Sequence, residues 1–147
     1  MKLFISNADA MERLGSDIAR AYREGGTIYL RGALGAGKTT LARGIIRAFG
    51  ITEPVKSPSY TLVELYTTPG SSPQLRIYHL DLYRLLDPEE LEYIGIRDYL
   101  RDDLDEKALF LIEWPERGGE SIPPPDLSVS IAALESGRSV TLEGSGS

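Results

Sequence analysis

The chain has no cysteine, a single histidine and a single tryptophan in 147 residues. Without thiols there is no disulfide, no disulfide-linked partner and no thiolate metal site. The lone His79 has no second histidine to join it as a ligand and reads as structural. Lysine is scarce, and 22 acids against 16 bases leave a net charge of −6 and a pI near 4.8. A domain that gripped nucleic acid alone would show a basic face or a high pI. Any role beside nucleic acid is therefore expected to run through a protein partner. No apolar run approaches the roughly 18 residues of a membrane-spanning helix. The apolar stretch Leu3-Phe4-Ile5 is too short for a signal peptide, so the cytoplasm is the expected location. Length and composition fit one soluble domain with a real core.

Glycine is placed where it matters. Gly32-Ala33-Leu34-Gly35-Ala36-Gly37-Lys38-Thr39 fits the phosphate-loop pattern G-x-x-x-x-G-K-[ST] at every fixed position. The β-prone run Thr27–Leu30 precedes it. Leu41, Ala42, Ile45, Ile46 and Phe49 follow at helical spacing up to Gly50. Strand, glycine loop and helix together make a nucleoside-triphosphate site. Glycines let backbone N–H groups reach phosphate oxygens, and the opening helix aims its positive end at the same anion. Gly35, Ala36 and Gly37 are expected to supply those donors. Lys38 is expected to reach the β- and γ-phosphates, Thr39 to ligate Mg²⁺ and Thr40 to meet the α-phosphate.

The rest of the chain alternates strand and helix signals. Leu3–Ile5 predicts a strand. Ser6 or Asn7 caps a helix carrying Met11, Leu14, Ile18 and Tyr22 on one face. Thr61–Tyr66 and Leu75–Leu80 predict a hairpin around residues 67–73. Asp87-Pro88-Glu89-Glu90 opens a short helix, with a further turn over 96–100. Ala108–Ile112 is a buried strand, and Leu127–Ala133 with Ser139–Leu142 form a last hairpin. The expected fold is α/β, a P-loop three-layer sandwich around a mixed, mainly parallel sheet, as one domain over 1–143 with a flexible tail at 144–147.

Ligands of such sheets bind at the carboxyl ends of strands, and two predicted strands end there in an acid. Glu113 closes an apolar run in the form of a Walker B element, where a carboxylate holds Mg²⁺ directly or through water. Asp81 is a second acid at the metal, a residue that orients the attacking water, or simply a helix or turn cap. Trp114 either stacks on a base, anchors a partner or fills the core. The hydroxyl-rich segment Lys56–Thr61 is either a γ-phosphate sensor or an ordinary proline loop.

Several segments are family-specific: Lys56-Ser57-Pro58-Ser59-Tyr60-Thr61, His79-Leu80-Asp81-Leu82-Tyr83-Arg84, Pro88-Glu89-Glu90-Leu91-Glu92 and Glu113-Trp114-Pro115. With the phosphate loop, their order and spacing resemble the TsaE family over about residues 1–140. The resemblance implies an ATPase that binds ATP and ADP with Mg²⁺ and works with TsaB and TsaD. Those partners form threonylcarbamoyladenosine beside the tRNA anticodon, so tRNA is met only through the complex. It also implies Lys38, Asp81 and Glu113 as catalytic residues, Thr39 and Glu113 as metal ligands, and Trp114 at the nucleotide or the partner. Ala33 stands where the family usually has Asp, and Ser59 where it has Thr. Two other classes compete: a small-molecule or nucleotide kinase, disfavoured by the acidic middle segments, and a non-hydrolysing binding module.

Overall fold

A computed structural model describes residues 1–56, 58, 62–70, 75–93, 95 and 107–144. Seven strands form one sheet: β1 (Lys2–Ile5), β2 (Gly26–Gly32), β3 (Val63–Thr67), β4 (Leu75–Asp81), β5 (Lys107–Glu113), β6 (Leu127–Ala133) and β7 (Arg138–Gly144). Their order is β1-β7-β6-β2-β5-β4-β3. The four central strands β6, β2, β5 and β4 run parallel. The outer pairings, β1 on β7, β7 on β6 and β3 on β4, are antiparallel. The sheet is mixed and mostly parallel, as expected, and both predicted hairpins form.

Helix α1 (Ala8–Ala21) begins where Asn7 predicts it, the Asn7 Oδ1 accepting a hydrogen bond from Ala10 N at 2.8 Å. Helix α2 (Lys38–Ala48) opens directly from the glycine loop. Both lie on one face of the sheet. Met11, Leu14, Ile18, Leu41, Ile45 and Ile46 pack there onto Ile28, Leu30, Ile77, Leu109, Leu111 and Val129. The alternation of a strand assigns its odd and even residues to opposite faces. The second face accordingly carries Tyr29, Tyr78, Leu80, Phe110 and Ile112.

Two glycines set the spacing of the helix pair. A Cβ built on Gly15 would sit 2.7 Å from the Leu41 carbonyl oxygen, and one on Gly44 would collide with the backbone of Glu12. The helices therefore touch backbone to backbone. No larger residue fits between them.

The second face differs in texture from the first. Leu82, Leu85, Leu91 and Ile122 cover it from turns, 3-10 segments and the four-residue helix α3 (Glu90–Tyr93). Asp87 accepts from Glu89 N at 2.9 Å, capping the turn that precedes α3. The expected turn at 96–100, most of the loop around 57–61 and the tail at 145–147 lie outside the described residues. Gly144 itself is the last residue of β7.

Candidate functional site

The carboxyl ends of β2, β4 and β5 lie side by side. Parallel register sets Leu30 opposite Glu113 and Glu113 opposite Asp81. Both acids share the sheet face that α2 covers, since each follows by two residues a side chain buried there, Leu111 or His79. The sheet thus places two carboxylates at the mouth of the phosphate loop.

The loop needs its glycines. Gly35 has φ +76° and Gly37 has φ +118°, values that an L side chain resists. Gly37 is also the residue from which α2 starts, and no side chain caps that end. The unpaired N–H groups of the first turn are left open to an anion.

Lys38 is 5% exposed, and its Nζ donates to the carbonyls of Gly32 at 2.5 Å and Ala33 at 2.9 Å. The ammonium also lies 4.6 Å from the centre of the Trp114 ring. Burial pushes its pKa below the ordinary lysine value, and the carboxylates of Glu113, Asp81 and Glu116 work against that shift. Thr39 Oγ1 faces Glu113, 3.3 Å from Oε2 and 3.5 Å from Oε1.

Asp81 is buried, lines a cavity together with Lys38, Thr39 and Glu113, and accepts from Tyr83 N at 3.0 Å. The turn-cap reading of Asp81 is thus realised, in a residue that also faces the loop. Trp114 adopts a left-handed backbone, φ 60° and ψ 50°, before Pro115. That turn swings the indole over Lys38 and brings it against Tyr83, ring centres 5.0 Å apart.

Two cavities meet at the loop. One, about 260 Å³, is bounded by Lys38, Thr39, Thr40, Asp81, Glu113 and Trp114. The second, about 210 Å³, lies between the loop and the β1–α1 and β6–β7 turns, with Ile5, Asn7, Met11 and Arg138 in its wall. Gly35, Gly37 and Thr40 line both, and Ala36 lines the second. An elongated ligand with an anionic end and a flatter, less polar end suits this shape.

Among the described residues no group of three or more His, Asp or Glu side chains converges on a metal. The donors present are nonetheless those of a hard cation. The Thr39 hydroxyl and the Glu113 carboxylate offer oxygen at one point, and Mg²⁺ takes one or two protein ligands and completes its shell with phosphates and water. The residues fit.

Two residues join the site that the sequence reading did not place there. His79 Nε2 lies 2.6 Å from Glu113 Oε2, with both side chains buried. The signal was available: His79 and Asp81, two apart on a strand, share a face. Arg138 reaches across from the β6–β7 turn and donates to the loop carbonyls of Ala36 at 2.8 Å and Gly35 at 3.4 Å. Nothing in its local sequence announces that contact. Arg43 of α2 pairs with Glu12 of α1 at 3.6 Å, away from the phosphate loop's cavity.

The chain matches known proteins along nearly its whole length. The family described as "Threonylcarbamoyl adenosine biosynthesis protein TsaE" matches residues 5–140. The tRNA threonylcarbamoyladenosine biosynthesis protein TsaE of Haemophilus influenzae is 50% identical over 115 residues, covering 78% of this chain and 68% of that protein. Its counterpart in Treponema pallidum is 32% identical over 143 residues, covering 97% and 99% of the two chains. The crystal structure of Bacillus subtilis YdiB superposes with a TM-score of 0.77 at 28% identity, over 99% of this chain and 86% of that one. With the glycine loop, both strand-end acids and the mixed sheet all in place, the chain belongs to the TsaE family.

Proposed function

We propose that this protein serves tRNA threonylcarbamoyladenosine biosynthesis as a P-loop ATPase. It binds ATP with Mg²⁺, hydrolyses it slowly alone, and so supports turnover of the TsaB–TsaD pair. The observation that carries the reading is the convergence of Lys38, Thr39, Asp81 and Glu113 on one cavity at the ends of parallel strands. The family matched here supports the pathway.

In this reading the N–H groups of Gly35, Ala36 and Gly37 and the first turn of α2 cradle the phosphates. Lys38 exchanges its loop carbonyls for β- and γ-phosphate oxygens. Thr40 donates to the α-phosphate, while base and ribose occupy the cavity beside Asn7 and Met11. Thr39 and Glu113 hold Mg²⁺, which when bound neutralises charge developing on the transferred phosphoryl group. Asp81 orients the attacking water. Trp114, packed against Lys38, shields the phosphates on the outer side.

Lys38 is the one cation among the described residues lining the phosphate cavity. Catalytic arginines supplied by a partner are worth about 10³- to 10⁵-fold in related phosphoryl transfers. Slow hydrolysis by the isolated chain, accelerated by the partner assembly, is therefore expected. ATP hydrolysis is to be measured with and without the TsaB–TsaD complex of the same organism. Stimulation supports the reading. Tight nucleotide binding without stimulation overturns it in favour of a binding module or a kinase.

A further inference from the structure

We propose that His79 is a positioning residue for the Mg²⁺ site, its Nε2–H fixing the Glu113 carboxylate in the orientation that faces Thr39. The inference rests on the metal reading of Glu113 given above. Its basis is a buried pair whose members sit on adjacent strands, with each backbone held in the sheet.

A carboxylate that ligates a metal can only accept hydrogen bonds, so in this reading the 2.6 Å contact has Nε2 as donor and Oε2 as acceptor. It is the shortest contact given to Glu113; the bonds from Thr39 are 3.3 and 3.5 Å. The imidazole cannot drift. His79 lies in β4 between two paired strands, opposite Glu64 on one side and Leu111 on the other, and it is fully buried. Gripping Oε2 from so rigid a base holds the carboxylate where both of its oxygens stay within 3.5 Å of the Thr39 hydroxyl.

Packing does not account for this histidine. Its Nδ1 is buried with no hydrogen-bond partner among the described residues. Leaving such a polar atom orphaned in the core is a cost that an aliphatic side chain at the same place would avoid. Among the described residues, the single polar link that the imidazole makes is to Glu113. Partners of this kind, hydrogen-bonded to metal ligands, typically alter metal affinity or activity by about 10- to 100-fold when removed.

Two amide variants separate positioning from mere filling. His79→Gln places an N–H near the position of Nε2, whereas His79→Asn places one near Nδ1 and falls short of Glu113. ADP affinity is measured by calorimetry for the full chain, with EDTA and then with Mg²⁺, and ATP hydrolysis is followed in parallel. In EDTA all three proteins should bind ADP alike, since the phosphate loop is untouched. With Mg²⁺, the gain in affinity and the kcat should fall about tenfold or more in the Asn variant and be largely restored in the Gln variant, at similar KM. An Asn variant with the wild-type response to Mg²⁺ overturns the proposal. So does a Gln variant as impaired as Asn, which reduces His79 to a structural role. A wild-type protein that ignores Mg²⁺ removes the metal assignment of Glu113 and the inference with it, a failure recognised in the control alone.

Discussion

Lys38 illustrates how far a single side chain is shaped by its surroundings. The sequence supplies the lysine and its glycines, but the near-complete burial and the indole above it come from the fold. Burial lowers the pKa of the free chain, and bound phosphates would raise it again. Nucleotide binding at alkaline pH should therefore take up a proton, and ADP affinity should fall as pH rises toward the ordinary lysine value of 10.5. Stability should move the other way. Between the lowered folded value and 10.5 the unfolded chain binds more protons, so the Lys38 contribution to stability grows with pH across that window. Calorimetry on the wild type and a Lys38→Met variant isolates both slopes. Parallel slopes in the two proteins would mean that Lys38 is not the titrating group.

Elements explain which parts of the site were legible in the sequence and which were not. The glycine loop was legible because its geometry is local: Gly35, Gly37 and the start of α2 are contiguous. Glu113 and Asp81 were legible as strand ends, yet their adjacency depends on the register of β4 against β5, which no single segment encodes. His79 reads as structural in the sequence because no second histidine joins it, and its link to Glu113 depends on the register of β4 against β5. Arg138 was invisible, since only closure of the β6–β7 hairpin onto the loop gives it a role. The helix pair is a further case. In an exposed helix Gly→Ala is stabilising by about 1 kcal/mol. At Gly44 the added methyl would meet the Glu12 backbone, so Gly44→Ala should destabilise the fold by about 1–3 kcal/mol, as overpacking does. Chemical denaturation reads the sign directly. A stabilised variant would show that the two helices separate at little cost.

On the scale of the whole molecule, the sheet has unequal coverings. Among the described residues, one face carries two long helices in backbone contact and the other is closed by short turns, 3-10 segments and α3. The phosphate loop stands at the junction of these layers, with α2 behind it, Arg138 beneath it and the turn at Trp114 beside it. Residues from five separate stretches of the chain thus line the two cavities that meet at the loop. The backbone contact between Gly15 and α2 has a mechanical consequence. At Gly15 and Gly44 no side chain cushions the contact, so the pair transmits displacement as a rigid lever, and tightening the loop around a nucleotide should quieten α1 as well. Amides from Leu14 to Ala21, in the half of α1 that borders neither cavity, should exchange hydrogen for deuterium more slowly when ADP is bound. Slowing confined to the loop and α2 would mean that the lever slips at its glycine joint.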